Sequence, residues 1–189
     1  PRHYVLGNHD VATFSKDEFL SLSSAPGNIY RFDAGAYRCI ILDGNFNPDG
    51  SDYRAGNFNW TEAYIHSPQR EWLAEELKGG SDRRILIFVH QNLHDETNPH
   101  GIKNAPEVRR LLENAGNVIA VFQGHDHAGG LHTVNGMPYI TLKAAVDGPG
   151  PENKAYALVS VEAERIRVQG YGKQESYIIE LDKRQMQSK

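Results

Sequence analysis

Three continuous apolar runs, each ending in a polar cluster, constrain the fold of this 189-residue chain more than any other feature. The runs cover residues 4–6, 85–89 and 118–122, and they lead into the sequences GNHD, H and QGHDH. Apolar runs without alternation are typical of strands buried on both faces. Ligands of open α/β sheets collect beyond the carboxyl ends of the strands. We therefore expect the three polar clusters to meet at one edge of a sheet.

Helix signals lie between the runs. Capping residues and stop residues predict helices that begin near Ser15, Ser67 and Asn104, the last two ending at Gly79 and Gly116. Strands that alternate with helices favour an α/β fold.

Other segments resemble antiparallel sheet. The dipeptide Asn135-Gly136 predicts a hairpin turn. Further strands are predicted at residues 29–32, 39–42, 131–134, 139–142, 155–161, 165–169 and 177–181. No repeat or linker interrupts the chain, so residues 1–189 are interpreted as a single domain.

Composition narrows the classes of partner. The formal net charge of −4 argues against a nucleic acid polymer, which needs a basic surplus to displace counterions. No apolar run approaches the length of a membrane span, so we expect no membrane partner. Cys39 is the only cysteine, which excludes an internal disulfide and a thiolate cluster. A reducing, cytoplasmic compartment fits that composition.

Five side chains at the ends of the apolar runs are candidates for chemistry: Asn8, His9, His90, His125 and His127. Imidazole and carboxamide groups suit zinc, iron, manganese or nickel. On extended backbone, the two histidines of the His-x-His sequence would leave the same face. On a turn opened by Gly124 they could instead diverge toward two ions about 4 Å apart.

These motifs are similar, in order, to the last three motifs of the calcineurin-like metallophosphoesterases. They are GNHD at 7–10, VH at 89–90 and GHDH at 124–127. The resemblance implies a sandwich of mixed sheets flanked by helices. It also implies that Asn8, His90 and His125 bind one divalent ion and that His127 binds the second.

The same resemblance implies a reaction. A hydroxide that bridges two Mn, Fe or Zn ions would attack phosphorus, and His9 would assist the leaving group. The segments GGLHTVNGMPYITLKAAVDG, AYALVSV and IRVQGYGKQ resemble bacterial relatives of manganese-dependent ADP-ribose/CDP-alcohol diphosphatases. The expected substrates are therefore phosphodiesters or diphosphates of small nucleotide-like molecules.

The first two motifs of the family, Asp-x-His and Gly-Asp, have no counterpart here, and Asp10 and Asp43 do not match them. We interpret the N-terminal part of the fold as missing from this chain. A separate N-terminal segment or a second chain would then complete the site and cover an exposed sheet edge. Without it, one weakly held ion or none is expected.

Two long polar segments are candidate walls of a substrate cleft, residues 45–66 and 91–104. Within the first, a base or ring could stack on Tyr53, Phe58, Trp60 or Tyr64, and Arg54 could meet a phosphate; the alternative is a surface loop held by its own aromatic residues. In the second, His94 and His100 could touch substrate. His3, His66 and His132 are interpreted as structural or surface residues.

Three functions are consistent with these motifs. The first is a metal-dependent phosphoesterase. The second is a catalytically incomplete fragment that acts as a binding or interaction module with a weak or empty metal site. The third is a histidine-rich carrier of one transition metal.

Overall fold

A computed structural model describes residues 1–181 and contains two packed sheets. Six strands form the larger sheet, in the order β1-β2-β3-β4-β6-β5. Their bounds are β1 Tyr30–Ala34, β2 Tyr37–Ile41, β3 Arg84–Phe88, β4 Val118–Gln123, β5 Gly130–Val134 and β6 Met137–Thr141. Strands β2, β3, β4 and β6 run parallel, while β1 and β5 pair antiparallel at the two edges. The carboxyl ends of β3 and β4 are therefore neighbours.

The smaller sheet is antiparallel and consists of β7 (Ala155–Val161), β8 (Arg165–Gly172) and β9 (Tyr177–Glu180). A single-turn 3₁₀ helix, Pro151–Asn153, precedes it. One apolar cluster joins the two sheets, with Ile166 and Val168 of β8 in the same core as Leu86 of β3. Burial of this shared apolar surface holds the two sheets together.

The opposite face of the larger sheet is covered by two helices, α3 (Ser67–Gly79) and α4 (Ala105–Ala115). Leu73 and Leu77 of α3 and Leu112 of α4 are buried against this face. Two shorter helices, α1 (Asn8–Thr13) and α2 (Lys16–Ser23), follow the chain start. This arrangement confirms the predicted α/β sandwich of mixed sheets flanked by helices.

Several local sequence patterns are found in the caps and turns that they predict. Ser15 and Glu18 make a reciprocal capping box at the start of α2. Gly116 ends α4 in the left-handed region at φ +75°. Asn135 and Gly136 both have positive φ, which matches the twist of the β5–β6 hairpin.

Two helix-end predictions need correction. Asn104 precedes α4 but makes no side-chain cap, because its amide bonds the backbone of Ile65 in both directions. That pairing ties the 45–66 segment to the start of α4. Helix α3 includes Gly79, and its C-cap is Gly80. The strand bounds differ from the predicted ones by up to three residues.

The prediction of a strand at residues 4–6 is wrong, since residues 1–7 have no strand pairing. Backbone groups of this segment form hydrogen bonds with side chains instead. The Tyr4 amide donates to the Tyr30 hydroxyl, and the Leu6 carbonyl accepts from Asn45 Nδ2 at 2.8 Å. Leu6 is buried beside Val11 and Tyr53. The apolar run therefore predicted burial correctly, but it wrongly predicted that these residues pair with another strand.

The single-domain interpretation of residues 1–189 stays a prediction, and residues 182–189 lie outside the described part of the chain. Between residues 1 and 181, no helix has the length and apolar character that crossing a membrane requires.

A buried ion pair anchors the segment that carries the first polar cluster. Lys16 Nζ lies 2.7 Å from Asp43 Oδ2, and the Asp43 carboxylate is fully buried. Asp43 Oδ1 accepts hydrogen bonds from the backbone and side chain of Asn45. Asn45 in turn holds the Leu6 carbonyl, two residues before Asn8. Removal of the ammonium group would leave a buried carboxylate without its cation.

We expect Lys16→Met to lower the free energy of unfolding by about 3–5 kcal/mol, because a buried charge loses its partner. Urea unfolding would measure the change. The control is Lys78→Met on the exposed side of α3, which should stay within about 0.5 kcal/mol of the parent. A Lys16 variant as stable as the control would contradict this account of the anchor.

Candidate metal centre

Three polar side chains meet at the carboxyl edge of the larger sheet. His90 follows β3, His125 follows β4, and Asn8 is the first residue of α1. A backbone hydrogen bond from the Gly124 amide to the His90 carbonyl continues the β3–β4 pairing into the site. Gly7 allows the close approach of α1, because a Cβ there would lie 3.1 Å from the His90 ring. The parallel strands therefore bring together His90 and His125, which are 35 positions apart, and the close approach of α1 adds Asn8.

The three side-chain atoms that could bind a metal ion converge on one point. His90 Nε2 lies 2.9 Å from Asn8 Oδ1 and 3.1 Å from His125 Nδ1. An amide oxygen only accepts hydrogen bonds, so all three atoms share a single ring proton in this contact. A divalent cation would satisfy the same three lone pairs together. The donor set therefore fits one ion.

Backbone conformation at His125 also marks the site. His125 has φ +66°, which is uncommon for a residue other than glycine and is frequent at functional sites. Its Nε2 atom is buried and makes no hydrogen bond within residues 1–181. Packing and strand pairing hold this turn open against its intrinsic preference.

Burial and mutual proximity keep these imidazoles neutral. Desolvation, together with the nearby His125 ring, lowers the pKa of His90 to about 3. Desolvation and the nearby His100 ring lower the pKa of His125 to about 4. Neutral imidazole is the form that binds a metal ion.

His127 has a different set of partners from His125. Its Nδ1 lies 2.7 Å from Asp147 Oδ1, and the ring is about half exposed at 52%. The backbone carbonyl of Asp147 is held by Lys173 Nζ at 3.1 Å. The two histidines of the His-x-His sequence therefore diverge, as the turn at Gly124 allows. A carboxylate on the second ring nitrogen is a common outer partner of metal-binding histidines.

His9 is exposed beside this cluster. A cleft of about 530 Å³ is lined by His9, Asn8, His90, His125 and His127 together. No residue within 1–181 makes a hydrogen bond to the His9 ring. Its nitrogens are thus free to meet a ligand in the cleft.

The predicted walls of the cleft are partly correct. Phe58 and Trp60 from the 45–66 segment and His100 from the 91–104 segment line the cleft. Tyr53 is fully buried and cannot stack on a ligand, and the Tyr64 ring packs against His66 instead.

The remaining histidines and Arg54 lie elsewhere. His94 bonds the Gln123 amide and stacks on His132 at 4.0 Å between ring centroids. Arg54 is exposed and does not line the cleft. His3 stacks on Phe32, and His66 bonds the Asn47 carbonyl. The structural interpretation of His3 and His66 is consistent with these contacts.

Sequence reasoning missed Asp147 and the role of Asn45. Asp147 lies 20 positions from His127, and no spacing rule joins the two residues. The polar run around Asn45 signalled only a loop. Their contacts depend on how separate loops pack over the sheet edge.

A second cavity of about 600 Å³ shares His9, His90, His125 and His127 with the cleft. Its walls are mostly apolar and include Val5, Phe88, Phe122 and Leu142. Strand β7 pairs only with β8, so within residues 1–181 its other edge carries no strand.

In the same part of the chain, no three His, Cys, Asp or Glu side chains are grouped to hold a metal ion. The first ion would depend on the Asn8 carboxamide as its third ligand.

Comparison with known proteins identifies the family. The family model for calcineurin-like phosphoesterases matches residues 1–129, which is more than half of the chain. Two plant manganese-dependent ADP-ribose/CDP-alcohol diphosphatases are similar in sequence. The Arabidopsis thaliana protein is 21% identical over 93% of this chain and 69% of its own length. The Oryza sativa subsp. japonica protein is 25% identical over 92% of this chain and 66% of its own length.

Solved structures show the same fold. A dimetal phosphatase from Danio rerio matches with a TM-score of 0.79 at 25% identity, over 95% of this chain and 72% of that protein. GAP50, the anchor in the inner membrane complex of Plasmodium, matches with a TM-score of 0.55 at 16% identity. That match covers 85% of this chain and 57% of GAP50, and it indicates the fold alone. The chain belongs to the calcineurin-like phosphoesterase family of metal-dependent hydrolases, as the three motifs predicted.

Proposed function

We propose that this protein hydrolyses phosphodiester or diphosphate bonds in small nucleotide-like molecules with the help of bound divalent ions. The observation that carries the proposal is the convergence of Asn8, His90 and His125 on one point inside a cleft. The substrate class is supported by the manganese-dependent ADP-ribose/CDP-alcohol diphosphatases, which are similar over more than nine tenths of this chain.

The residues that would hold the first ion are Asn8 through Oδ1, His90 through Nε2 and His125 through Nδ1. Two imidazoles and one carboxamide suit manganese, iron or zinc, and the names of the two plant relatives favour manganese. Divalent ions at such a site lower the pKa of water and neutralise charge on phosphate oxygens.

The second ion would be held by His127, whose ring is oriented by Asp147. One imidazole is too few ligands, so we propose that an N-terminal segment or a second chain supplies the others. Two features support this proposal. The edge of β7 is unpaired, and an apolar cavity lies beside the histidines. An added strand could pair with the edge of β7, and apolar side chains of an added segment could fill the cavity.

His9 is proposed as the general acid. Its ring lines the cleft beside the metal-binding atoms and has no hydrogen-bond partner within residues 1–181. A histidine in this position can donate a proton to the leaving oxygen as the ester bond breaks. It would contact the substrate without holding the ion.

The cleft has few charged side chains. Within residues 1–181, no lysine or arginine lines it, and Lys143 lines the cavity that shares four of its histidines. Phosphate recognition in the cleft would therefore depend mainly on the ions and the imidazoles. The net charge of −4 continues to argue against a nucleic acid polymer. A cytoplasmic location stays a prediction from Cys39, which is buried as a free thiol.

A binding module with a weak metal site is the second candidate function. The scarcity of charged ligands favours it, because no group of three His, Cys, Asp or Glu residues forms within residues 1–181. The experiment below separates it from the enzyme.

After chelation, we expect turnover of bis-p-nitrophenyl phosphate to stop and to return with Mn²⁺. His90→Ala and His125→Ala should weaken Mn²⁺ binding by more than about 100-fold, beyond the effect typical of outer partners. Asp147→Asn should weaken it by about 10-fold. Calorimetric titration and turnover would measure these changes, with His132→Ala as the control.

Two ions with diester cleavage support the enzyme. One ion without turnover supports a carrier, and no ion without turnover supports the binding module.

His9→Ala should slow substrates with poor leaving groups by about 100-fold or more, because those substrates need a proton on the leaving oxygen. Substrates with good leaving groups should slow much less. A series of alkyl and aryl phosphodiesters would measure the dependence, and unchanged Mn²⁺ affinity would serve as the control. Equal losses across the series would exclude the general-acid role.

Acid should destabilise the metal-free protein through His90 and His125. Both imidazoles are neutral when folded, whereas in the unfolded chain they gain protons below their ordinary pKa of 6.5. The free energy of unfolding should therefore fall as pH drops from 6.5 to 5, by roughly 1.4 kcal/mol per unit for each histidine at most. Urea unfolding with a chelator would measure this slope. His90→Asn should flatten this slope, and an unchanged slope in that variant would contradict the assignment.

A further inference from the structure

Trp60 is an exposed aromatic residue at the mouth of the cleft. Its side chain is 42% exposed although tryptophan is among the most apolar residues. The indole centroid lies 5.3 Å from the ring of His100 and 5.5 Å from the ring of His125. The indole therefore packs against the ring of His125, one of the three residues proposed to bind the first ion.

The loop around Trp60 is held in place by its own contacts. Tyr53 is buried and stacks on Phe58 at 4.3 Å, and its hydroxyl donates to the Asn59 carbonyl. The Asn59 side chain accepts from both the amide and the hydroxyl of Thr61. Residues on both sides of Trp60 are thus anchored. A tryptophan fixed in this way presents a rigid surface at low entropic cost.

His100 has a single orientation behind the indole. Its Nδ1 donates to Asn98 Oδ1 at 3.0 Å, and Asp126 Oδ2 lies 3.9 Å away. The Trp60 indole and the His100 ring are tilted by 35° to each other, and the His125 ring meets both of them edge-on. Among residues 1–181, no lysine or arginine lines this cleft. The flat surface that the cleft offers is therefore the exposed part of the indole itself, and a ring on the substrate is the group that matches it.

We propose that Trp60 determines substrate specificity by stacking on a planar ring that the substrate carries beside its scissile phosphate. The inference rests on the proposed function and adds the residue that recognises the non-phosphate part of the substrate. A nucleobase is such a ring, and the proposed nucleotide-like substrates carry one. Phosphate esters without a ring would bind through the metal centre alone.

Tryptophan fluorescence tests the contact directly, since the chain has two tryptophans, Trp60 and Trp72. Trp72 packs partly buried against the helix-covered core, so Trp72→Phe leaves Trp60 as the single reporter. The ligands are α,β-methylene-ADP and methylenediphosphonate, at one Mn²⁺ concentration. Both carry the same P–C–P group, and only the first carries a ring. We expect saturable quenching by α,β-methylene-ADP and none by methylenediphosphonate.

Kinetics supply a second readout. Trp60→Leu should raise KM for ADP-ribose about tenfold with little change in kcat, because stacking stabilises ground state and transition state alike. Trp60→Phe should keep most of the affinity. Tyr156→Leu, at an exposed aromatic residue of β7 that does not line the cleft, is the control and should change neither constant.

Equal quenching by both ligands would overturn the role of Trp60, and so would no quenching together with an unchanged KM in Trp60→Leu. In either case, measurable turnover would leave the proposed function standing. Selective quenching without turnover of any ester would sustain the stacking site and overturn the proposed function.

Discussion

Parallel pairing of β2, β3 and β4 is the constraint on which the rest of the site depends. Because parallel strands end at the same edge, the residues that follow β3 and β4 become neighbours although 35 positions separate His90 from His125. The helices on one face and the smaller sheet on the other bury these strands, so the edge is rigid. A binding site built on such an edge needs little further organisation.

The first polar cluster reaches that edge by another route. Residues 4–6 belong to no sheet, and the chain is positioned by side-chain hydrogen bonds and a buried ion pair. Asn8 therefore depends on Lys16, Asp43 and Asn45, none of which touches the cleft. Val5 of the same region lines the apolar cavity. Within residues 1–181, the proposed first ion has three candidate ligands, whereas the proposed second ion has only His127.

Specificity and chemistry are divided between different parts of the fold. The ends of β3 and β4 and the start of α1 carry the proposed metal ligands, whereas the long 45–66 and 91–104 segments supply walls of the cleft. Tyr53 holds Asn59, which precedes Trp60, and Asn98 holds His100, so both walls are set by local contacts within their loops. Loops of this kind can change while the strands stay the same, which lets one metal-binding framework serve different esters.

The sequence by itself determined the fold class and most of the helices and strands, because apolar periodicity, capping boxes and the Asn135-Gly136 turn act locally. The family followed from the resemblance of the motifs at 7–10, 89–90 and 124–127. It also singled out Asn8, His9, His90, His125 and His127 through their positions after apolar runs. Only the tertiary structure decided that residues 4–6 form no strand, that Tyr53 is buried while Trp60 faces the cleft, and that Asp147 orients His127. Those outcomes depend on which distant segments pack together, and no local pattern encodes them.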